Sequence, residues 1–280
     1  MNHRQFGSFY VLDKLGEGGT GEVYLARYEG NSRLVALKVL NSELACNRHV
    51  LARFKRTVEI HRRTNHPNIV RYYGSGAEHG QPYRAMEYMN GGSLCDRLVT
   101  HGPLPWQQVI KVGRQASSAL EHCHRQGIVH LNVKHASLLL SKSGRITLGS
   151  FGNVRPISSS GGSVMGLPFG TPGYLAPEQI RGGDEITGQT DLYGLGHVLY
   201  ELLVGEPPFS TTSIERNSMD LIFQHLQKDP PRVREKVPEC PAELDALIDR
   251  LLAKKPADRP SDAGEVHRTL GEIRDAYSDD

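Results

Sequence analysis

The chain has 280 residues, with 33 Lys and Arg against 31 Asp and Glu and a formal charge of +2. That length suits one large domain or two coupled lobes, and the near-neutral balance does not point to nucleic acid or an anionic membrane. Cys46, Cys95, Cys123 and Cys240 stand far apart with no C-x-x-C pair, which implies reduced thiols in a cytoplasmic setting. The start, "MNHRQFGSFYVLDKLG", has no apolar signal core. The run "DLYGLGHVLYELLVG" from Asp191 is too short and polar to span a bilayer, so no membrane segment is expected in this chain, although a longer parent could carry an anchor after Asp280.

In chain order, strand-like runs come first: "FYVLDKL" from Phe9, "GEVYLARY" from Gly21 and "LVALKVL" from Leu34, separated by Gly and Asn turns. A helical stretch is predicted around Val50–Thr64. Two more strand-like runs, "IVRYYGSG" and "YRAMEYM", precede the Gly91-Gly92 break. Beyond it, Val109, Val112, Ala116, Leu120 and Cys123 fall at helix spacing, as do Leu195, Leu199 and Leu202, and later Leu244, Ile248, Leu251 and Leu252. A short "SSSGGS" patch covers Ser158 to Ser163, and no internal repeat is present. The pattern predicts an α+β fold: a small antiparallel-sheet N-lobe with one main helix, joined by a hinge to a larger, mainly helical C-lobe.

The run "LGEGGTGEV" puts Gly16, Gly18 and Gly21 in G-x-G-x-x-G spacing between two strands. Alone, that spacing also occurs in dinucleotide folds and plain hairpins. With Lys38 in "VALKVL" it matches the loop and lysine that cover nucleotide phosphates in protein kinases. Further landmarks follow in order: "HPNIV" at His66, "MEYMNGGSL" at Met86, "GTPGYLAPE" at Gly170, Asp191 in "TDLYGLG" and "DRP" at Asp258. The chain therefore resembles a protein kinase domain of the bacterial eukaryotic-like Ser/Thr type over about residues 9–276. The resemblance implies an N-lobe over about 9–88, a hinge at about 87–92 and a C-lobe over about 93–276.

The same resemblance marks departures. Where similar kinases read H-R-D-L-K-P-x-N, this chain reads "HLNVKHAS". Asn132 stands at the catalytic aspartate position, beside Lys134, and Ser137 at that of a metal-binding asparagine. Ser150 replaces the acid of D-F-G, and Thr57 the glutamate that pairs the phosphate-binding lysine. Glu59 is a poor substitute, because two positions along a helix turn it away by roughly 200°. Between Arg97 and Gly183 the only acids are Glu121 and Glu178.

Phosphoryl transfer depends on positioning and on metal ions held by hard anionic oxygens. Ser137 and Ser150 offer neutral hydroxyls, and Asn132 cannot take a proton, a role typically worth ~10²–10⁴ in rate. The resemblance implies that the rest of a nucleotide cleft is retained. Val23, Ala36 and Leu139 would sandwich an adenine, Met86 is the gatekeeper, and Glu87 to Met89 form the hinge. Lys38 and Lys134 would leave the cleft net positive.

The expectation is a degenerate kinase, a pseudokinase, that binds ATP without magnesium and serves a protein partner as scaffold or allosteric module. Similar bacterial domains often pair through their small lobes, so an N-lobe homodimer is a further expectation. The alternatives are an atypical, weakly active Ser/Thr kinase using Lys38 and Lys134 alone, or another nucleotidyl or phosphoryl transfer in a repurposed cleft.

Other residues divide by the same comparison. Leu131 replaces the arginine that gathers a phosphorylated activation loop, so phosphomimetic changes at Ser158, Ser159, Ser160 or Ser163 are expected to leave nucleotide affinity unchanged. His122, Cys123, His124 and His130 match the family's ordinary sequence and core positions rather than metal ligands. Glu178 and Arg259 are expected to form a buried ion pair, and Asp191 to hold the backbone of the loop that begins at His130. His61, where an apolar side chain usually stacks among Tyr72, His130 and Phe151, is expected to loosen that stack. Arg53, Lys55, Arg56, Arg62 and Arg63 read first as a solvated face, and second as a surface for an acidic partner.

Overall fold

The structure, a computed structural model, describes residues 4–151, 154–157, 172–182, 186–210 and 218–278. The Ser158–Ser163 patch lies outside the described residues. Strands β1 (Gln5–Phe6), β2 (Phe9–Gly18), β3 (Gly21–Tyr28) and β4 (Leu34–Leu40) are followed by helices α1 (Ser42–Ala45) and α2 (Arg48–Arg63). Strands β5 (Tyr72–Glu78) and β6 (Gln81–Glu87) complete an antiparallel six-stranded sheet of order β1-β2-β3-β4-β6-β5.

Alternation in these strands sends Tyr24, Ala26, Val35, Leu37, Val39, Tyr83 and Ala85 into one apolar cluster with Phe6. Gly21 closes the β2–β3 hairpin at φ 150°, where a Cβ would lie 2.0 Å from the Val39 carbonyl oxygen, so only glycine fits. Helix α2 begins two residues before the predicted Val50 because Asn47 caps it, accepting from the His49 and Val50 amides at 3.0 and 3.3 Å. Such a cap is worth ~1 kcal/mol.

The chain leaves the sheet at Glu87 and enters α3 (Leu94–His101) through a capping box. The Ser93 hydroxyl accepts from the Asp96 amide at 3.2 Å, and Asp96 accepts from the Ser93 amide at 2.8 Å. The long α4 (Trp106–Arg125) follows, then the short β7 (Ile128–Val129), β8 (Leu138–Leu140), β9 (Ile146–Leu148) and β10 (Arg155–Pro156). Helices α5 (Pro177–Arg181), α6 (Gly188–Val204), α7 (Ser218–Gln227), α8 (Ala242–Leu251) and α9 (Ala263–Ala276) complete the second unit.

Helix α6 is buried from Thr190 to Leu203 and runs through the largest core, which also takes the apolar faces of α4, α8 and α9. Backbone bonds tie the two units. The Val70 amide donates to the Leu148 carbonyl at 3.0 Å, and Gly91 and Leu140 are linked through the Gly91 amide at 2.9 Å. No helix among the described residues is long and apolar enough to cross a membrane. The sheet-rich and helical units follow the predicted α+β arrangement.

Candidate functional site

The cleft lies where the sheet meets β8 and β9. Ala36, Val70, Met86 and Met89 form a buried apolar cluster of their own, with Val23 and Leu139 packed against it. Every apolar residue assigned to the adenine pocket therefore lies in one patch. Glu87 marks its rim: its carboxylate pairs with Arg145 and accepts from the Arg71 amide at 3.3 Å. Gly16 and Gly18 lie on exposed backbone of β2, where an added Cβ would meet nothing within 4 Å. The fold does not demand glycine at these two positions, and the backbone there is open to close approach.

The loop from His130 to Ser137 is fixed from below. Asp191 on α6 accepts from the His130 and Leu131 amides at 2.8 and 2.7 Å and from His124 Nε2 at 2.9 Å. These bonds hold Leu131 at φ 60°, a left-handed backbone that costs a non-glycine residue roughly 1–2 kcal/mol. In the same loop the Ser137 hydroxyl donates to the Asn132 carbonyl at 2.7 Å, and the Asn132 amide lies 3.4 Å from Ser137 Oγ. Ser137 is fully buried. Ser137 is thus tied to the Asn132 backbone, and neither side chain presents an anionic oxygen.

Ser150 is exposed at φ 56°, and Glu59 on α2 is exposed while Thr57 is buried. The donor set at Ser137, Ser150 and Asn132 is uncharged and does not fit a hard divalent ion such as magnesium. Among the described residues, no group of three His, Cys, Asp or Glu side chains gathers as metal ligands.

The charges that do converge are positive. Lys38 on β4 faces Arg84 on β6 in register, with Arg53 of α2 and Lys134 of the loop near enough to act on it. Burial first, then Arg84, Arg53 and Lys134, bring the Lys38 ammonium down to about 8. Among the described residues Lys38 forms no ion pair. Burial also lowers Lys134.

The expectation of a loosened stack at His61 is corrected. The ring lies flat on Phe151, with centroids 4.8 Å apart and planes 2° apart, and meets Tyr72 edge-on at 5.7 Å. Phe151 in turn meets His130 at 5.1 Å. His61 Nε2 donates to the Val70 carbonyl at 2.5 Å, and burial holds the imidazole neutral by pushing it down to about 4. A flat neutral ring with its one proton bonded serves in the stack as an apolar side chain would.

Two features escaped sequence reasoning. Arg84 looks like the polar member of an alternating strand, yet Tyr83, Arg84, Ala85 and Met86 are all buried. The sequence carried no signal for this, because an arginine between Tyr83 and Ala85 fits a half-exposed strand; only the structure shows the strand covered on both sides. The second is a contact among Tyr174, Glu201 and His135. Tyr174 donates to Glu201, and His135 Nε2 lies 3.2 Å from the Tyr174 oxygen and 3.5 Å from Glu201. Local sequence spacing could not join residues from the loop, the segment before α5, and α6. The expected ion pair, by contrast, is present: Arg259 holds Glu178 bidentately at 2.7 and 2.8 Å.

A family model described as protein kinase domain matches residues 9–270. Serine/threonine-protein kinase PknB of Mycobacterium leprae is 38% identical over 263 residues, which cover 92% of this chain and 42% of that protein. PknL of Mycobacterium tuberculosis is 34% identical over 255 residues, covering 91% of this chain and 63% of that one. The chain thus spans about two fifths of the length of its PknB relatives (42%). A crystal structure of the PknI kinase domain from Mycobacterium tuberculosis is 29% identical with a TM-score of 0.74, covering 97% of this chain and 98% of that one. With its motifs in order from Phe9, its two units arranged as in a bacterial kinase domain, and its sequence matched through residue 270, the chain belongs to the protein kinase domain family.

Proposed function

We propose that this kinase domain is a pseudokinase: it binds ATP through cations rather than through magnesium, does not transfer phosphate, and serves as a scaffold or allosteric module for a protein partner. The observation that carries this reading is the hydrogen bond from Ser137 to the Asn132 carbonyl. It closes the loop on itself where a base and a metal ligand would be needed. Val23, Ala36, Met86, Met89 and Leu139 would hold the adenine, with the Glu87–Met89 backbone along its edge. Gly16, Gly18, Gly21, Lys38 and Lys134 would surround the phosphates.

The four cysteines are all free, in keeping with a reducing, cytoplasmic setting. Pairing through the small lobes is favoured by exposed apolar side chains on β2, β3 and β4, namely Leu12, Leu15, Tyr28 and Leu34.

ATP labelled on the γ-phosphate tests the reading. The expected result is no label on the protein or on a general acceptor, together with a rise in melting temperature when ATP is added in EDTA. Magnesium-dependent label lost on Lys38→Met would instead establish an active kinase. A melting shift seen only with magnesium would remove the metal-free part.

A further inference from the structure

A buried charge in a folded protein is normally met by an opposite charge or by a full set of hydrogen bonds. Arg84 has neither. It is 2% exposed, its Nη1 donates to the Phe151 carbonyl at 3.2 Å, and its Nε has no partner among the described residues. No carboxylate pairs with it there. Lys38 stands directly across the ladder, so the two side chains leave the same face of the sheet. Phe151, which Arg84 holds, follows Ser150, the position at which a metal-binding acid is absent. Positive charge is thus built in beside the place where a metal ion would otherwise supply it.

We propose that Lys38 and Arg84 form a two-cation site for a linear polyphosphate, Lys38 touching the anion and Arg84 acting from behind as its positioning residue, in place of a divalent ion. The proposal rests on the nucleotide reading above and names the residue that makes it metal-free. The ligand class is a nucleoside polyphosphate, and the same chemistry would admit free tripolyphosphate.

The groups facing the site are few. Among the described residues, Arg53 and His61 come from α2, Tyr72 from β5, and Lys134 and His130 from the loop, and none of these is a carboxylate. An anion beside Lys38 and Arg84 would relieve these two cations together.

Calorimetric titration in EDTA, with ATP and with inorganic tripolyphosphate, tests the site on the whole chain. Wild type is expected to bind ATP more tightly than tripolyphosphate, and Arg84→Met to weaken both by about tenfold or more. Arg84→Gln keeps a donor for the Phe151 carbonyl without the charge, and it should weaken binding similarly if charge is what matters.

A pH series separates this from a merely structural Arg84. Lys38 gives up its proton near pH 8, so wild-type affinity should fall between pH 7 and 9. In Arg84→Met that fall should move to higher pH, because a like charge has gone. Unchanged affinity and an unchanged inflection in both variants would overturn the inference while leaving the nucleotide reading intact. Equal affinity for ATP and tripolyphosphate, lost in both variants, would keep the site and remove the adenine. Binding of neither ligand to wild type would overturn both.

Discussion

Thr57 lies on the buried face of α2, one turn from Arg53 and one turn from His61. A glutamate there would reach toward Lys38 and Arg84, which form no ion pair among the described residues. Its carboxylate would lower the net charge of the cleft by one and give the buried guanidinium an ionic partner. Thr57→Glu is therefore expected to weaken the proposed metal-free ATP binding by about tenfold, because the anion would compete with an internal one. Titration in EDTA checks it, and affinity equal to or above wild type would show that the cations do not hold the phosphates. On the proposed pseudokinase reading, Asn132→Asp alone is expected to show no transfer, since Ser137 and Ser150 still give a metal ion no anionic oxygen.

At the level of elements, the second unit hangs on α6, which carries Asp191 under the loop and packs α4 and α8 against its flanks. Arg259, just before α9, binds Glu178 of α5 with both partners out of solvent (0% and 2% exposed), and also donates to the Gln189 carbonyl at 2.8 Å at the start of α6. Removing one partner strands a buried charge, so Arg259→Met should destabilise by about 3–5 kcal/mol. Glu178→Gln in the same background should recover part of that loss. Urea midpoints of the two single variants and the double decide it: additive losses would mean the pair is not coupled.

This contact was legible beforehand because its two motifs are tied to a known arrangement; the strand-like runs of the sheet were set by periodicity, and the apolar residues that gather in the cleft were named by the family resemblance alone. Arg84 was not legible, since an arginine between Tyr83 and Ala85 satisfies strand alternation whichever way it points. His61 was misjudged because residue type was read as polarity. In a dry stack an imidazole with its single proton on a carbonyl behaves as a flat apolar ring.

Across the whole molecule, neutral imidazoles fill places where charge is costly. His61, His130, His197 and His225 are buried. His197 stacks on His225 at 5.0 Å beside Tyr174, Tyr193 and Phe209, and neither of its ring nitrogens has a partner among the described residues. Burial pushes His61 and His225 down to about 4, and lowers His130 and His197 as well. The unfolded chain takes protons near pH 6.5 while the folded one refuses them until lower pH, so it is the unfolded state that gains protons on acidification. Stability from these residues is fully present above pH 6.5 and is lost as pH falls toward 4. Urea midpoints should therefore drop between pH 6.5 and 5, a window above the ordinary carboxylate range. His197→Phe keeps a ring in the cluster and removes both unpartnered nitrogens. It is expected to raise stability at pH 7 by about 1 kcal/mol and to flatten the acid slope. A flat profile in wild type, or a slope unchanged in His197→Phe, would show that the buried imidazoles are not what acid attacks.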